Sequence, residues 1–172
     1  SISRSGMKAL LSLFMNVLFF KKGPQDVPHS SLLLGILMGL DLVLSTLVGS
    51  MDLGLIPSVI QASLSLGLMG LFLSFTLKLS GKPERFLKTF TTTTGVDLLM
   101  TVLGLMVLLL GEGLADLLGW ALLLLMAWQM AVLAHILREA LSTRLLPAVG
   151  LSLSYTVLAY RVMMMWVPFP AA

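Results

Sequence analysis

The chain has 172 residues, 58% hydrophobic and 11% charged, with a mean hydropathy of +1.01 and a net charge of +3. Soluble domains carry about 25% charged residues, and a chain of this length cannot hide so much Leu, Val, Met and Phe in one water-facing fold, so lipid is the solvent. The basic balance does not point to nucleic acid, because the charges lie in loops between apolar runs and face a membrane surface. The absence of cysteine rules out disulfides and thiol chemistry.

Ser1–Gly6 (SISRSG) precedes Met7-Lys8-Ala9, which reads as a natural start, so residues 1–6 are expected to be an expression leader. Lys8–Phe20 is apolar but shorter than the roughly 20 residues that a crossing helix needs. Lys8, Ser12 and Asn16 form a narrow polar stripe. That pattern predicts a helix lying in the interface with Lys21 and Lys22 at headgroup level. A signal peptide is the rival reading, but no small-residue cleavage site follows the apolar run. Gly23–His29 (GPQDVPH) reads as a linker, and Ser30 or Ser31 as a helix cap. Residues 7–29 thus form an interfacial helix and linker, and 30–172 a five-span domain.

The five spans are expected at about Ser31–Val48, Pro57–Leu79, Thr91–Leu110, Leu118–Leu137 and Pro147–Val167. A turn at Gly49–Ile56 joins the first two. The third follows the stretch Gly81–Asp97 (GKPERFLKTFTTTTGVD), around which the chain is organised. Thr91–Thr94 either bond their hydroxyls back along the helix or cap its start, and with Gly95 they are expected to make this entry the least regular helix end. The fold class is therefore all-α, a polytopic bundle of five transmembrane helices with an N-terminal interfacial helix.

Ten of the eleven Lys and Arg residues fall on one side of such a bundle, and only Arg161 lies within a span. Between the spans the other side carries Asp52, Glu112 and Asp116. The positive-inside rule then places the N-terminus in the cytoplasm and the C-terminus outside. Lys21, Lys22, Lys82, Arg85, Lys88, Arg138 and Arg144 form the expected cytoplasmic interaction surface, with anionic lipid headgroups or a membrane or cytoplasmic protein as partners.

No HExxH, GxSxG, P-loop or GxGxxG motif occurs, so no catalytic residue is assigned. His29 and His135 lack a third ligand, and successive side chains of Met163–Met165 diverge around a helix, so neither a metal nor a cofactor is expected. Pairs of small residues four apart, Gly35 and Gly39, Ser63 and Gly67, Gly70 and Ser74, and Gly150 and Ser154, read as close-packing faces within the bundle. The sharper alternative assigns Gly35 and Gly39 to a homo-oligomer.

Asp41, Asp97 and Arg161 each carry an insertion penalty of about 2.5–3.5 kcal/mol at a helix centre, so each needs a partner or a function. Depth along the helices matches Asp41 with Arg161, and Asp97 with Gln129 or His135. These five make up the expected buried polar network. It is either structural pairing or, in the transport alternative, a proton or substrate path.

SGKPERFLKTFTTTTGVDLL, set between the second and third of five spans, resembles the Yip family of five-span membrane proteins, which interact with small Rab-type GTPases. Gly81, Phe86, Lys88 and Thr89 match that family's motif before the third span, and WQMAVLAHILREALSTRLLPAV resembles its fourth-span end and following loop. The resemblance implies a non-enzymatic adaptor. No long polar arm of the kind that eukaryotic members carry precedes the first span, so the resemblance implies a small bacterial-type member, located in a bacterial inner membrane. The expected function is a scaffold presenting basic cytoplasmic loops; the alternative is a small transporter or ion-pathway subunit using Asp41, Asp97 and Arg161.

Overall fold

A computed structural model describes residues 4–111 and 113–166. Among them six α-helices occur: α1 (Arg4–Leu18), α2 (Ser31–Leu53), α3 (Leu55–Leu79), α4 (Phe86–Leu110), α5 (Ala115–Leu141) and α6 (Leu145–Trp166). Two short 3-10 turns, Pro24–Asp26 and Pro83–Arg85, precede α2 and α4. Helices α2 to α6 are long and apolar enough to cross a bilayer. The protein is an all-α polytopic bundle integral to the membrane.

Each helix begins or ends for a local reason. The Ser30 hydroxyl accepts the Leu33 amide and caps α2. Instead of the expected eight-residue turn, α2 continues to Leu53, and Gly54 alone reverses the chain at φ 83. Only glycine takes that conformation without strain. Pro57 falls in the first turn of α3, where the amide it lacks has no helical partner anyway. Ser142, in the left-handed region, ends α5.

α4 differs most from expectation. It starts at Phe86, so the threonine run lies inside the helix rather than forming an irregular start. Thr89, Thr91, Thr92 and Thr94 each donate a hydroxyl to the carbonyl four residues back, at 2.6–2.8 Å. All four are buried. Back-bonding satisfies the hydroxyls without any other helix, so a polar run becomes a compact stretch of helix that lipid-embedded neighbours can pack against.

α4 is central. It packs on α2, α5 and α3, while α5 packs on α6 and α6 on α3. α3, α4, α5 and α6 thus close a ring, and α2 sits outside it against α3 and α4. The core lies toward the end that carries the basic loops. Leu73 and Leu77 of α3, Phe90 of α4, Leu133, Leu137 and Leu141 of α5, and Ala148 and Tyr155 of α6 form one buried cluster. Beyond Met100 on α4, before Val132 on α5 and after Tyr155 on α6, no described residue is buried. The ring is tight at the basic end and loose in its other half.

The helix α1 packs on α4 and touches α5. Its buried residues Phe14, Val17 and Leu18 face Val96 and Met100 of α4 and Val132 and Ile136 of α5, with Leu37 of α2 beside Phe14. Gly95 makes the seat: a Cβ there would stand 2.5 Å from the Phe14 ring. Lys8, Ser12 and Asn16 lie on the opposite face and are not buried, and Met7 and Leu11, two turns and one turn before Phe14 on its own face, stay exposed beyond the bundle.

Most of the expected packing faces are not the ones used. Gly35, Gly39, Gly67 and Gly150 have open space where a Cβ would stand, and Ser63 and Ser154 are exposed. These three pairs look outward. Of the expected positions Gly70 does pack closely, against Phe90, and close approach occurs also at Gly95 and at Gly49 against Ser58. Spacing identifies a small-residue stripe but not the direction in which the helix presents it.

Candidate functional site

Two places concentrate polar chemistry: a cavity at mid-depth in the ring, and the basic end above it. The cavity, about 200 Å³, lies between α3, α4, α5 and α6. Asp97 and Gln129 face each other there, and Gln129 Nε2 donates to Asp97 Oδ1 at 2.6 Å. Tyr155, Ser65 and Thr156 complete the polar part of the wall; Met69, Met126 and Met130 supply flexible apolar surface. Asp97 lies about 16 Å along α4 from its start, near the middle of a membrane crossing.

Toward the basic end the cavity is closed. Phe90, Leu133 and Ile136 form its roof, and Leu73, Leu77, Leu137 and Leu141 fill the ring above. Any access is from the loose half.

The five-residue network expected from sequence is not assembled. Asp97 meets Gln129, and Asp41 on α2 lies within electrostatic reach of Asp97 without a hydrogen bond to it, but Arg161 and His135 lie elsewhere. Asp41 is 3% exposed on α2, with Ser45 as its side-chain neighbour, and its Oδ1 has no hydrogen-bond partner among the described residues. Arg161 is exposed on α6. The expected Asp41–Arg161 contact does not form, because α2 packs on α3 and α4 while α6 packs on α5 and α3. Depth matched the two residues; the order of helices around the ring separates them.

His135 serves the linker instead. Its Nε2 lies 2.8 Å from the Lys22 carbonyl oxygen, and the Phe20 ring packs edge-on against the imidazole. Trp128, two turns from His135 on the same face of α5, donates Nε1–H to the Leu18 carbonyl at 3.2 Å and packs edge-on against Phe19 and at a tilt against Phe20. The C-terminal end of α1 is thereby tied to α5. Sequence gave no sign of this clasp, since neither its register nor its partner helix is written in spacing.

At the basic end most of the cations are already engaged within the chain. Lys82 Nζ donates to the Leu141 carbonyl at 2.6 Å, and Arg85 Nη1 to the Ala140 carbonyl and to Ser142 Oγ, both at 2.8 Å. The last carbonyls of α5 have no helical donors, and they form the negative end of the helix dipole, so two cations from the α3–α4 loop satisfy both needs. Lys88 Nζ donates to the Gln25 carbonyl at 3.3 Å, and Arg138 pairs with its neighbour Glu139 at 3.1 Å. Lys21, Lys22 and Arg144 are exposed. Three of the seven residues expected to form a free interaction surface, Lys82, Arg85 and Lys88, therefore hold separate segments together, and a fourth, Arg138, is paired within its own helix.

Among the described residues no cluster of His, Cys, Asp or Glu could hold a metal ion. No family model, curated protein or solved structure matches this chain.

Proposed function

We propose that the protein is a non-enzymatic membrane scaffold whose basic end faces the cytoplasm and holds anionic lipid or a partner protein. The charge asymmetry supports the orientation, because Lys and Arg in short loops favour the cytoplasmic side. The observation that carries the reading is the condition of that end. Lys82, Arg85 and Lys88 clasp three separate segments into one surface, above the tightest part of the core. A preorganised surface binds with less ordering entropy to lose than mobile loops have. The likeness of Gly81, Phe86, Lys88 and Thr89 to the Yip motif agrees with an adaptor role in a bacterial inner membrane.

One observation favours the transport reading: Asp97 and Gln129 face a cavity at mid-depth. Against it stand the leucine plug above that cavity and the positions of Asp41 and Arg161 outside its wall. Carriers need access from both sides to a shared midplane site.

The test has two arms. Purified protein in vesicles carrying an internal pH dye, with a potassium gradient and valinomycin, should pass protons no faster than empty vesicles. A photocrosslinking amino acid at Glu84 or Arg144 in native membranes should give discrete adducts, and at Asp52 or Asp116 none of the same mass. Proton flux that disappears in Asp97→Asn, or adducts equal at both ends, would overturn the scaffold reading.

A further inference from the structure

The linker, the start of α4 and the end of α5 enclose a second recess at the basic end, about 390 Å³ in volume. Arg85, Lys88, Gln25, Glu139 and Ser142 form its polar wall. Its charge balance is less even than the residue types imply. Both carboxylate oxygens of Glu139 are engaged: Oε1 with Arg138 at 3.1 Å and Oε2 with Gln25 Nε2 at 3.4 Å. The two cations facing the recess therefore lack an acid of their own.

Both cations are fixed, and both keep donors to spare. Arg85 is held by Nη1 through Ala140 and Ser142, which leaves Nη2 and Nε of its five-donor fork. Lys88 spends one of its three protons on the Gln25 carbonyl. A guanidinium and an ammonium held at one recess match a phosphate, since the fork suits two oxygens and the ammonium a third.

The surface below the recess says which phosphate. Down α5 from Glu139, Phe20 lies against His135 and Trp128, with Phe19 against Trp128. Phe19, Phe20 and Trp128 are 52%, 40% and 39% exposed, an apolar track running about 16 Å toward the bilayer centre. Charge at the membrane surface with exposed apolar surface beneath it follows the order of groups in a phospholipid. Basic pockets between spans on the cytoplasmic side are a known mode of lipid-headgroup binding.

We infer that the Arg85–Lys88 recess binds the headgroup phosphate of an anionic phospholipid, with one acyl chain along the Phe19–Phe20–Trp128 track. This names one partner of the basic end and rests on the scaffold reading's orientation.

Native mass spectrometry of the detergent-solubilised full chain tests it, with phosphatidylglycerol, phosphatidylcholine, and the soluble headgroup glycerophosphoglycerol as probes. Phosphatidylglycerol should be retained over phosphatidylcholine, and glycerophosphoglycerol should not be retained. Lys88→Gln should weaken phosphatidylglycerol binding about fivefold. Lys88→Arg should keep it, and so should Lys78→Gln, which removes an exposed charge outside the recess. An unchanged melting temperature for Lys88→Gln separates lost binding from lost fold. Equal weakening by Lys78→Gln and Lys88→Gln, or no lipid preference, would overturn the inference. Retention of glycerophosphoglycerol as tight as that of the lipid would overturn it too, and make the recess a site for soluble phosphates. Failure here leaves the proton-flux and crosslinking results of the scaffold test unaffected, so the two readings fail separately.

Discussion

Replacing Gly95 by valine places a side chain where the Phe14 ring already stands. The first added carbon alone would approach that ring to 2.5 Å, and the ring is itself 5% exposed within a packed cluster. Overfilling a packed site costs about 1–3 kcal/mol. Lipid offers no hydrophobic penalty to hold α1 in place. What opposes release is van der Waals contact and two bonds, Trp128 to the Leu18 carbonyl and His135 to the Lys22 carbonyl. At a net value of about 1 kcal/mol per bond, these are close to the strain in size. Gly95→Val should therefore loosen α1 without unfolding the bundle. A shift of about 2 kcal/mol corresponds to roughly thirtyfold faster amide exchange. Hydrogen–deuterium exchange of the α1 peptide in nanodiscs reads it, with α4 as the internal reference. Adding Phe14→Ala to Gly95→Val should recover part of the protection, because the ring is what the valine meets. Unchanged exchange in Gly95→Val, or no recovery in the double variant, would refute the seat.

Three further outcomes follow from the contacts. Arg85→Gln removes the fork from the end of α5 and should lower stability by about 1–2 kcal/mol, discounted for partial exposure; the exposed neighbour change Glu84→Gln should stay within about 0.5 kcal/mol. Equal melting temperatures in detergent would rule out the clasp. Asp97→Leu leaves the Gln129 amide without its acceptor, a loss of about 1–3 kcal/mol. Asp97→Asn and the double change to leucine at both positions should be milder, and a double variant as unstable as Asp97→Leu would mean that the pair is uncoupled. Asp41→Leu and Arg161→Leu should be additive within about 0.5 kcal/mol in a double-mutant cycle; coupling well above that would bring the two residues back into contact.

The number of spans was legible because five apolar runs, separated by charge, leave few alternatives in lipid. Asp97 with Gln129 was legible as well, since adjacent helices at equal depth bring matched polar groups together. The Asp41–Arg161 pairing failed on helix order, which depth cannot supply. Of the two readings of the threonine run, back-bonding along the helix is the one realised; the irregular start is not, because in lipid the satisfied hydroxyls let the helix continue from Phe86. Lys82 and Arg85 read as free surface charge because the carbonyls they cap belong to the end of α5, far along the chain. Gly95 could be read only as a weak point in a helix; what sits above it is the product of tertiary packing.

The central claim is that the clasped basic end is the cytoplasmic working face. With no native cysteine, single cysteines at Lys78, Arg144, Asp52 and Asp116 can be labelled with a membrane-impermeant maleimide in intact spheroplasts and in inverted vesicles. The account predicts that Lys78→Cys and Arg144→Cys react only in inverted vesicles, and Asp52→Cys and Asp116→Cys only in spheroplasts. Labelling of Arg144→Cys from outside, or of Lys78→Cys and Asp116→Cys from the same side, would contradict it.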